Sequence, residues 1–311
     1  MDPATLQPTV LAVDIGGTKM AAGLVDGDGR LVARTLRPTP RRGDAEAVWS
    51  ALVAAIDEVL AGAASPPMAV GVGSGGPMTP GGEQVSPLNI EGWRAFPLRA
   101  RLARHAGVGV HIDNDAKALA LGEGWLGRAR GERNYCAMVV STGVGGGLVV
   151  DGALLDGASA NAGHIGHVNV VPDGAQCRCG ARGCLEAEVS GHHLEARLGR
   201  PPADASIEER HRVGELVGRA AGSVANLLDI GLFVVAGSVA LGFGADFFEP
   251  AQASLSRSAR TAFSAGARIE PAGLGDEGPL VGAAAVAFRA RGWDGVAAPP
   301  SIVAAPAGGV A

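Results

Sequence analysis

The chain has 311 residues, of which 47% are hydrophobic and 18% charged, and its formal net charge is -5. This length allows two domains of ordinary size, each with its own core. An acidic chain offers no basic surface of the kind that binds nucleic acid or an anionic membrane, so we expect neither as a partner. The N-terminus lacks a cationic segment followed by an apolar stretch, and no run approaches the ~18 apolar residues of a spanning helix. The sequence therefore predicts a soluble, cytoplasmic protein.

The first part of the chain alternates between strand and helix patterns. Apolar stretches at 10–15 and 20–25 flank a glycine turn, which predicts a hairpin that opens an antiparallel meander. A helix capped by Asp44 follows, with apolar residues at helical spacing from 48 to 60. The later elements are predicted as strand 69–72, helix 98–105, strand 108–112 and helix 116–125.

The same pattern begins again after residue 131. A strand (135–140), a glycine-rich turn (141–147) and a second strand (148–150) precede a hairpin turn at Asp151-Gly152. A helix (206–228) and a strand (232–236) come later. The repetition predicts an α/β protein with two related lobes. We assign 1–121 plus about 282–296 to the N-terminal lobe, 122–281 to the C-terminal lobe, and 297–311 to a disordered tail.

The segment from Asp14 to Lys19 reads DIGGTK and places a carboxylate at the end of a strand, just before two glycines. Glycines let backbone N–H groups approach an anion closely, so this turn suits a phosphate and its Mg²⁺. The alternative is an ordinary hairpin turn in which the Asp makes a local hydrogen bond. No helix follows, so the turn is neither a dinucleotide-binding fingerprint nor a P-loop.

Two later glycine segments extend this prediction. The segment 141–147, STGVGGG, is the equivalent turn of the second lobe, and the two turns together would clamp a triphosphate. Gly237 and Ser238 follow the predicted strand 232–236 and would carry the adenosine. A Gly-Ser loop after a strand is common, so by itself this third segment indicates little.

Asp113, Asn114 and Asp115 lie where a predicted strand ends and a helix begins. Ligands gather at such positions in open α/β sheets. The alternative for Asp115 is purely structural, because Asp is a common N-cap residue. Both interpretations stay open at this point.

Three of the four cysteines cluster at 177, 179 and 184, and His167 precedes them. In a reducing compartment, thiolates and an imidazole at this spacing favour a closed structural Zn²⁺ site. A disulfide between two of the cysteines is the alternative, and the nearby histidine argues against it. Cys136 lies within an apolar strand pattern, which predicts a core position.

Taken in order, these motifs resemble those of the ROK family of bacterial repressors, open reading frames and sugar kinases, particularly its glucokinases. The resemblance covers nearly the whole chain and rests on DIGGTK (14–19), GVGSGGP (71–77), NDA (114–116), STGVGGG (141–147), AGHIGH (162–167) and CRCGARGCLE (177–186). It implies a two-lobed actin-like ATPase (ribonuclease H-like) fold with ATP and sugar in an interlobe active-site cleft that closes on sugar binding. It also implies a homodimer or a tetramer.

The resemblance further implies roles for individual residues. Asp115 would be the catalytic base, and Asn114 and Glu186 would bind the sugar. His167 would bind zinc and also face the sugar. Gly76 and Asn89 are further sugar-side residues. With the glycine loops described above, the expected ATP and Mg²⁺ site consists of Asp14, Gly16, Gly17, Thr18, Lys19, Thr142, Gly143, Gly237 and Ser238, with Asp14 at the Mg²⁺ ion.

One position departs from the family pattern. Three residues before the zinc histidine, glucokinases of the family usually have Glu, and this chain has His164. A neutral imidazole offers one donor and one acceptor, whereas a carboxylate only accepts. We expect His164 to face the sugar rather than the metal, and the identity of the sugar is left open by this change.

The sequence therefore predicts ATP-dependent phosphorylation of a hexose at O6, with glucose as the first candidate. An N-acylhexosamine (N-acetylmannosamine or N-acetylglucosamine) is the alternative substrate, and polyphosphate is the alternative donor. A non-catalytic sugar-sensing regulator is the alternative of another class. Repressors of the family carry a helix-turn-helix segment before the first strand, and only nine residues precede Val10 here, so we expect no DNA-binding domain.

Overall fold

The computed structural model describes residues 8–40 and 44–292, which form two five-stranded sheets and their helices. The first sheet consists of β1 (Thr9–Ile15), β2 (Lys19–Asp26), β3 (Leu31–Pro38), β4 (Val70–Ser74) and β5 (Val110–Asn114). The second consists of β6 (Tyr135–Val140), β7 (Val144–Val150), β8 (Ala153–Leu154), β9 (Leu232–Ala236) and β10 (Arg268–Pro271). The α-helices of the described residues are α1 (Ala45–Ala61), α2 (Leu98–Ala106), α3 (Asp115–Trp125), α4 (Leu185–Val189), α5 (Gly191–Leu198), α6 (Ile207–Leu228), α7 (Ser238–Phe243), α8 (Ala245–Ser258) and α9 (Gly278–Ala290). Not one of these helices combines the length and apolar character that crossing a membrane requires.

Both sheets have the same strand order. The first runs β3-β2-β1-β4-β5, and the second, from the equivalent edge, runs β8-β7-β6-β9-β10. In each sheet an antiparallel meander of three strands is extended by two strands that run parallel to its first strand. The predicted repeat and the α/β class are thus confirmed. The lobe boundaries stay a prediction, and the expected tail, 297–311, lies outside the described residues.

The predicted elements are present with ends shifted by at most two residues, except in the second glycine-rich segment. There the turn ends at Gly143, and the three glycines expected in it, Gly145–Gly147, lie within β7. The reason is the close approach of α3. A Cβ atom on Gly147 would lie 2.6 Å from Cβ of Ala120, and one on Gly145 would lie 3.0 Å from Cβ of Ala116. These glycines therefore let α3 pack directly on the second sheet.

Helices α3 and α9 cross at a pair of glycines. A Cβ atom on Gly122 would lie 3.0 Å from Cα of Gly282, and one on Gly71 in β4 would lie still closer to the carbonyl oxygen of Ala283. One hydrophobic core surrounds this crossing and includes side chains of β1 from the first sheet and of β6 and β9 from the second. The helix pair thus joins the two sheets and fixes the position at which α3 begins.

Candidate active site

The parallel strands β1, β4 and β5 end at one edge of the first sheet. Their register places Asp14 beside Gly73, and Gly73 beside Asp113. Gly73 has no side chain to separate its neighbours: a Cβ atom there would lie 3.7 Å from Oδ1 of Asp14 and 3.5 Å from Cα of Asp115. The carboxyl group of Asp14 and the start of α3 therefore lie close together over β4.

Burial raises the pKa of the two carboxyl groups nearest the start of α3, Asp14 and Asp115. The pKa of Asp14 rises to about 7, first because the group is removed from water and next because of the charge of Asp115, while Lys19 acts in the opposite direction. Burial likewise raises the pKa of Asp115, and the N–H of Ala116 and the charge of His164 oppose that rise. Two carboxylates in this arrangement repel each other, so a bound cation would stabilise the ionised pair.

Asn114, rather than Asp115, is the N-cap residue of α3. Its Oδ1 accepts a hydrogen bond from the N–H of Ala116 at 3.0 Å, and its backbone is extended, as a cap requires. Asp115 is the first residue of the helix, and its Oδ1 accepts from the same N–H at 2.9 Å. The alternative that Asp115 is the N-cap residue is therefore wrong, because the neighbouring Asn114 caps the helix.

The predicted sugar-side residues gather around this corner. A Cβ atom on Gly76 would lie 3.7 Å from Nδ2 of Asn114 and 3.8 Å from Cε1 of His164. The negative charges of Asp115 and Glu186 both act on His164. Side chains from β5, α3, α4 and the segment that follows β8 therefore surround one small region.

Asn89 links the two glycine turns. Its Cβ is in direct contact with the position that a side chain on Gly17 would occupy, and its Nδ2 lies 3.9 Å from a Cβ atom built on Gly143. Oε2 of Glu186 lies 3.1 Å from the same Cβ position and accepts a hydrogen bond from the N–H of Val144 at 3.0 Å. Asn89 thus lies beside both turns, and the carboxylate of Glu186 contacts the second turn.

The first turn, residues 16–19, is fixed by its own hydrogen bonds and by Thr39. The N–H of Gly16 donates to the carbonyl of Lys19 at 3.0 Å, which closes the turn. Oγ1 of Thr39 donates to the carbonyl of Gly16 at 2.7 Å, and its N–H donates to the carbonyl of Thr18 at 3.0 Å. Thr18 and Lys19 remain exposed at the tip, where a ligand can reach them.

The second turn, residues 141–143, adjoins the Gly237-Ser238 loop. The hydroxyl groups of Ser141 and Ser238 are 2.9 Å apart and hydrogen-bonded. Gly237 has φ of 104°, a conformation that favours glycine, and a side chain on it would collide with the backbone of Val140. The carbonyl of Thr142 accepts from the N–H of His192, in the first turn of α5, at 3.3 Å. The structure therefore brings the two predicted nucleotide segments of the second lobe together.

The predicted zinc ligands form one cluster. The ligand atoms of His167, Cys177, Cys179 and Cys184 all lie within 4.8 Å of one another. All four cysteines of the chain are free thiols, so the disulfide alternative is wrong for this cluster. His164 stacks on His167 with ring centroids 5.9 Å apart and is not a member of the cluster, as expected. Three sulfur ligands and one nitrogen ligand fit a tetrahedral Zn²⁺ site without further ligands.

One group of charged residues beside the site was not predicted. Lys117 contacts Asp113 and Asp156, and Arg289 contacts the same two carboxylates. The spacing of Asp113 and Lys117, four residues apart across a helix start, was the signal available in the sequence. Asp156 and Arg289 are distant in sequence, so only the fold brings them to this place.

The two sheets of identical strand order, joined through α3 and α9, form the fold of sugar kinases of the actin-like ATPase class. A ROK family glucokinase from Streptomyces griseus, solved in complex with glucose and AMPPNP, aligns with a TM-score of 0.77 and 30% identity over 89% of this chain and 98% of that one. The family model described as ROK family matches residues 10–290. The chain belongs to the ROK family, which confirms the resemblance and the actin-like fold.

The relatives include two kinds of sugar kinase. Glucokinase of Thermotoga maritima is 40% identical over 183 residues, which is 58% of this chain and 57% of that protein. N-acetylmannosamine kinase of Haemophilus influenzae is 37% identical over 250 residues, which is 75% of this chain and 82% of that protein. The matched region thus spans little more than half of the glucokinase and most of the N-acetylmannosamine kinase. The chain is a sugar kinase, and similarity at this level does not identify its sugar.

Proposed function

We propose that this sugar kinase transfers the γ-phosphoryl group of ATP to O6 of a hexose, with Asp115 as the general base. The observation that best supports this role is the position of Asp115. Its carboxyl group lies at the first residue of α3, close to Asp14 across Gly73, and burial raises its pKa while the charge of His164 acts in the opposite direction. A general base needs a raised pKa and a fixed position at the reacting hydroxyl. The pKa of this carboxyl group is raised, and its hydrogen bond with the N–H of Ala116 fixes its position.

In the proposed reaction, Asp115 accepts the proton of the sugar hydroxyl while that oxygen attacks the γ-phosphorus in line. The new P–O bond forms to the sugar, the bond to the ADP oxygen breaks, and the products are a sugar 6-phosphate and ADP. Because one oxygen of Asp115 accepts from the N–H of Ala116, the carboxylate keeps a fixed orientation during proton transfer. Positioning and charge neutralisation contribute most of the rate in such a transfer.

In this proposal, the two glycine turns bind the phosphates of the donor, ATP. Residues 16–19 and 141–143 present backbone groups from the two sheets, and Asn89 contacts both turns. The Gly237-Ser238 loop, hydrogen-bonded to Ser141, would hold the adenosine. Polyphosphate as donor remains the alternative, since the turns would bind either chain of phosphates.

Two metal ions fit the residues present. Mg²⁺ prefers oxygen ligands, and the carboxyl group of Asp14, with its pKa raised by burial and by Asp115, gains from a nearby cation. When bound there, Mg²⁺ neutralises charge on the donor phosphates. Zn²⁺ would be held by the four clustered ligands at 167, 177, 179 and 184 as a closed structural site.

The first candidate sugar is glucose, as for the Streptomyces griseus glucokinase that aligns over nearly its full length. A second candidate is an N-acylhexosamine, and one observation favours it. His164 lies at the sugar-side corner, beside Gly76 and Asn114, where its ring can donate a hydrogen bond to an amide carbonyl. The longer match to N-acetylmannosamine kinase agrees with this second candidate.

A coupled assay of ADP release tests the proposal directly. The purified protein is given ATP and Mg²⁺ with glucose, mannose, N-acetylglucosamine or N-acetylmannosamine, and the phosphorylated carbon is identified by NMR. We expect sugar-dependent ADP release with a clear preference within this panel, and phosphate on O6. Sugar binding without any ADP release would favour the non-catalytic regulator instead. The homodimer, the cytoplasmic location and the lack of nucleic-acid partners stay predictions.

A further inference from the structure

Lys117 is a buried cation that the proposed reaction does not use. It lies in the first turn of α3, and its side chain is 1% exposed. Burying an ammonium group is unfavourable unless hydrogen-bond acceptors or opposite charges replace its hydration. The partners of Lys117 therefore indicate what the residue does at this position. Because the residue lies two positions after Asp115, its partners are also neighbours of the candidate site.

The partners of Lys117 form a compact, charge-balanced cluster. Nζ lies 2.7 Å from Oδ1 of Asp156 and 3.1 Å from Oδ1 of Asp113, and it donates to the carbonyl of Ala160 at 3.4 Å. Arg289, near the end of α9, completes the cluster with contacts of 2.9 Å to Asp156 and 3.6 Å to Asp113. Two cations thus share two carboxylates, and neither kind of charge is in excess.

The cluster joins two parts of the sugar site. Asp113 precedes the Asn114-Asp115 pair, and its Oδ1 accepts a hydrogen bond from the N–H of Asn114 at 2.8 Å. Asp156 and Ala160 belong to the segment 155–164, which follows β8 and ends at His164. The ion pairs therefore connect the start of α3, which carries the proposed base Asp115, with the segment 155–164, which ends at His164.

The two ends of the segment 155–164 are held against β7: the N–H of Leu155 donates to the carbonyl of Leu148 at 2.8 Å, and a Cβ atom on Gly163 would collide with the carbonyl oxygen of Gly146. None of its residues is buried, so no apolar side chain anchors it in a core. Its other contacts with the rest of the chain include a 3.4 Å hydrogen bond from Nδ2 of Asn161 to the carbonyl of Met78. Within the segment, the N–H of Ala162 donates to the carbonyl of Asp156 at 3.0 Å, so the anchor at Asp156 extends towards His164. Between its two ends on β7, polar contacts therefore hold this segment, with the Lys117–Asp156 pair at their centre.

We propose that Lys117 and Asp156 are positioning residues of the sugar site, whose ion pair fixes the segment 155–164 and thereby the placement of His164 relative to Asp115. The kinetic consequence rests on the proposed function, since it concerns the sugar that the site binds. The structural consequence, an anchored segment, does not depend on which reaction the protein performs.

Asp156→Asn is the test variant, because Asp156 is half-exposed and the change keeps the shape of the side chain. Asp246→Asn is the matched control: Asp246, in the first turn of α8, also pairs with an arginine, Arg210, at 3.2 Å, but within the helices of the second lobe. Asp156→Glu keeps the charge and serves as the rescue variant. All three are made in the full chain, so a folding defect is visible by thermal unfolding.

Two readouts are measured on each variant. In hydrogen exchange, Asp156→Asn should accelerate amide exchange in the segment 155–164 by about tenfold or more, as expected for a local opening. In kinetics, it should raise the KM for the sugar by at least about threefold, since a partly buried charged contact is lost, and leave the KM for ATP unchanged. Asp246→Asn should change neither, and Asp156→Glu should restore most of the sugar KM.

Equal effects of Asp156→Asn and Asp246→Asn on exchange and on sugar KM would overturn the proposal. So would a fall in turnover with equal changes in the KM of both substrates, because that is the result of general destabilisation. If the wild-type protein phosphorylates no sugar of the panel, the proposed function fails, while the exchange comparison still decides whether this ion pair anchors the segment.

Discussion

At the scale of single residues, Asn114 and Asp115 differ in role: Asn114 is the N-cap residue of α3, and Asp115 is the proposed base. Asn114 caps α3, so the N–H of Ala116 keeps a hydrogen-bond acceptor when Asp115 is replaced. Burial raises the pKa of Asp115, which makes the ionised group a stronger base than an exposed carboxylate. Replacing Asp115 by Asn should therefore separate catalysis from folding.

We expect Asp115→Asn to reduce turnover by at least ~10^2, the lower range for loss of a general base, while sugar affinity changes only a few fold. The amide keeps the shape of the side chain and cannot accept the hydroxyl proton. Initial rates and calorimetric sugar binding measure the two effects, with Asp204→Asn, an exposed position, as the matched control. A variant that retains more than a tenth of the wild-type rate would assign the base to another group.

His164→Glu tests how the sugar is chosen. Restoring the usual carboxylate should raise the specificity constant for glucose relative to N-acetylmannosamine by about tenfold, since hydrogen bonds to a charged acceptor are the stronger kind. Specificity constants for the four sugars of the panel measure this ratio, and His211→Glu, at an exposed position in α6, is the control. An unchanged order of sugars in both variants would show that residue 164 does not contact the substrate.

At the scale of elements, the contact between α3 and β7 positions the base. A side chain on Gly147 would meet both Cβ of Ala120, at 2.6 Å, and the carbonyl of Ala116, at 2.7 Å. Neither the helix backbone nor the strand can give way locally, so an added methyl group must displace α3, and Asp115 is its first residue.

Gly147→Ala should therefore lower stability by about 1–3 kcal/mol, as overpacking does, and reduce turnover by about tenfold or more through displacement of the base. Gly231→Ala is the control, because a Cβ atom there meets nothing within 4 Å. Thermal unfolding and initial rates are compared for the two variants. Wild-type behaviour of Gly147→Ala would mean that α3 does not rest on β7 as described.

The zinc segment makes a second prediction at this scale. Cys179→Ser should lower the metal content below half an equivalent per chain and the Tm by on the order of 5 °C. It should also weaken sugar binding, because Glu186 follows Cys184 by two residues and bonds to β7 through the N–H of Val144. Metal analysis, thermal unfolding and sugar binding are measured, with Cys136→Ala as control. A full equivalent of zinc in the variant would exclude this ligand set.

The elements and the histidine-cysteine cluster could be predicted from the sequence because their signals are local, whereas the sugar-side residues were expected only from the family resemblance. Strand patterns, the Asp44 cap and the histidine-cysteine spacing each depend on residues close together in the chain. The position of Gly145–Gly147 in a strand could not be predicted, because it depends on a helix that packs against them from outside the local sequence. The Lys117–Asp156 pair was missed for the same reason, since 38 residues separate its members.

At the scale of the whole molecule, the crossing of α3 and α9 joins both sheets in one core. Each sheet has its own outer core as well, formed in the first by α1 and α2 and in the second by α6 and α8. Residues of the candidate site come from both sheets and lie around the beginning of α3. A rotation of one sheet relative to the other would therefore change the site more than it changes either outer core.

The place of α9 in the chain also has a consequence during protein synthesis. This helix is the last described element, and it covers β1 and β4, which are among the first made. At the usual 5–20 residues per second, the ribosome needs about 10–40 s to make the roughly 200 residues between β4 and the end of α9. Throughout that interval the face of β1 and β4 that packs on Ala283 and Ala287 lacks its cover. We therefore expect the newly made N-terminal sheet to keep an apolar face open to other apolar surfaces until α9 is made.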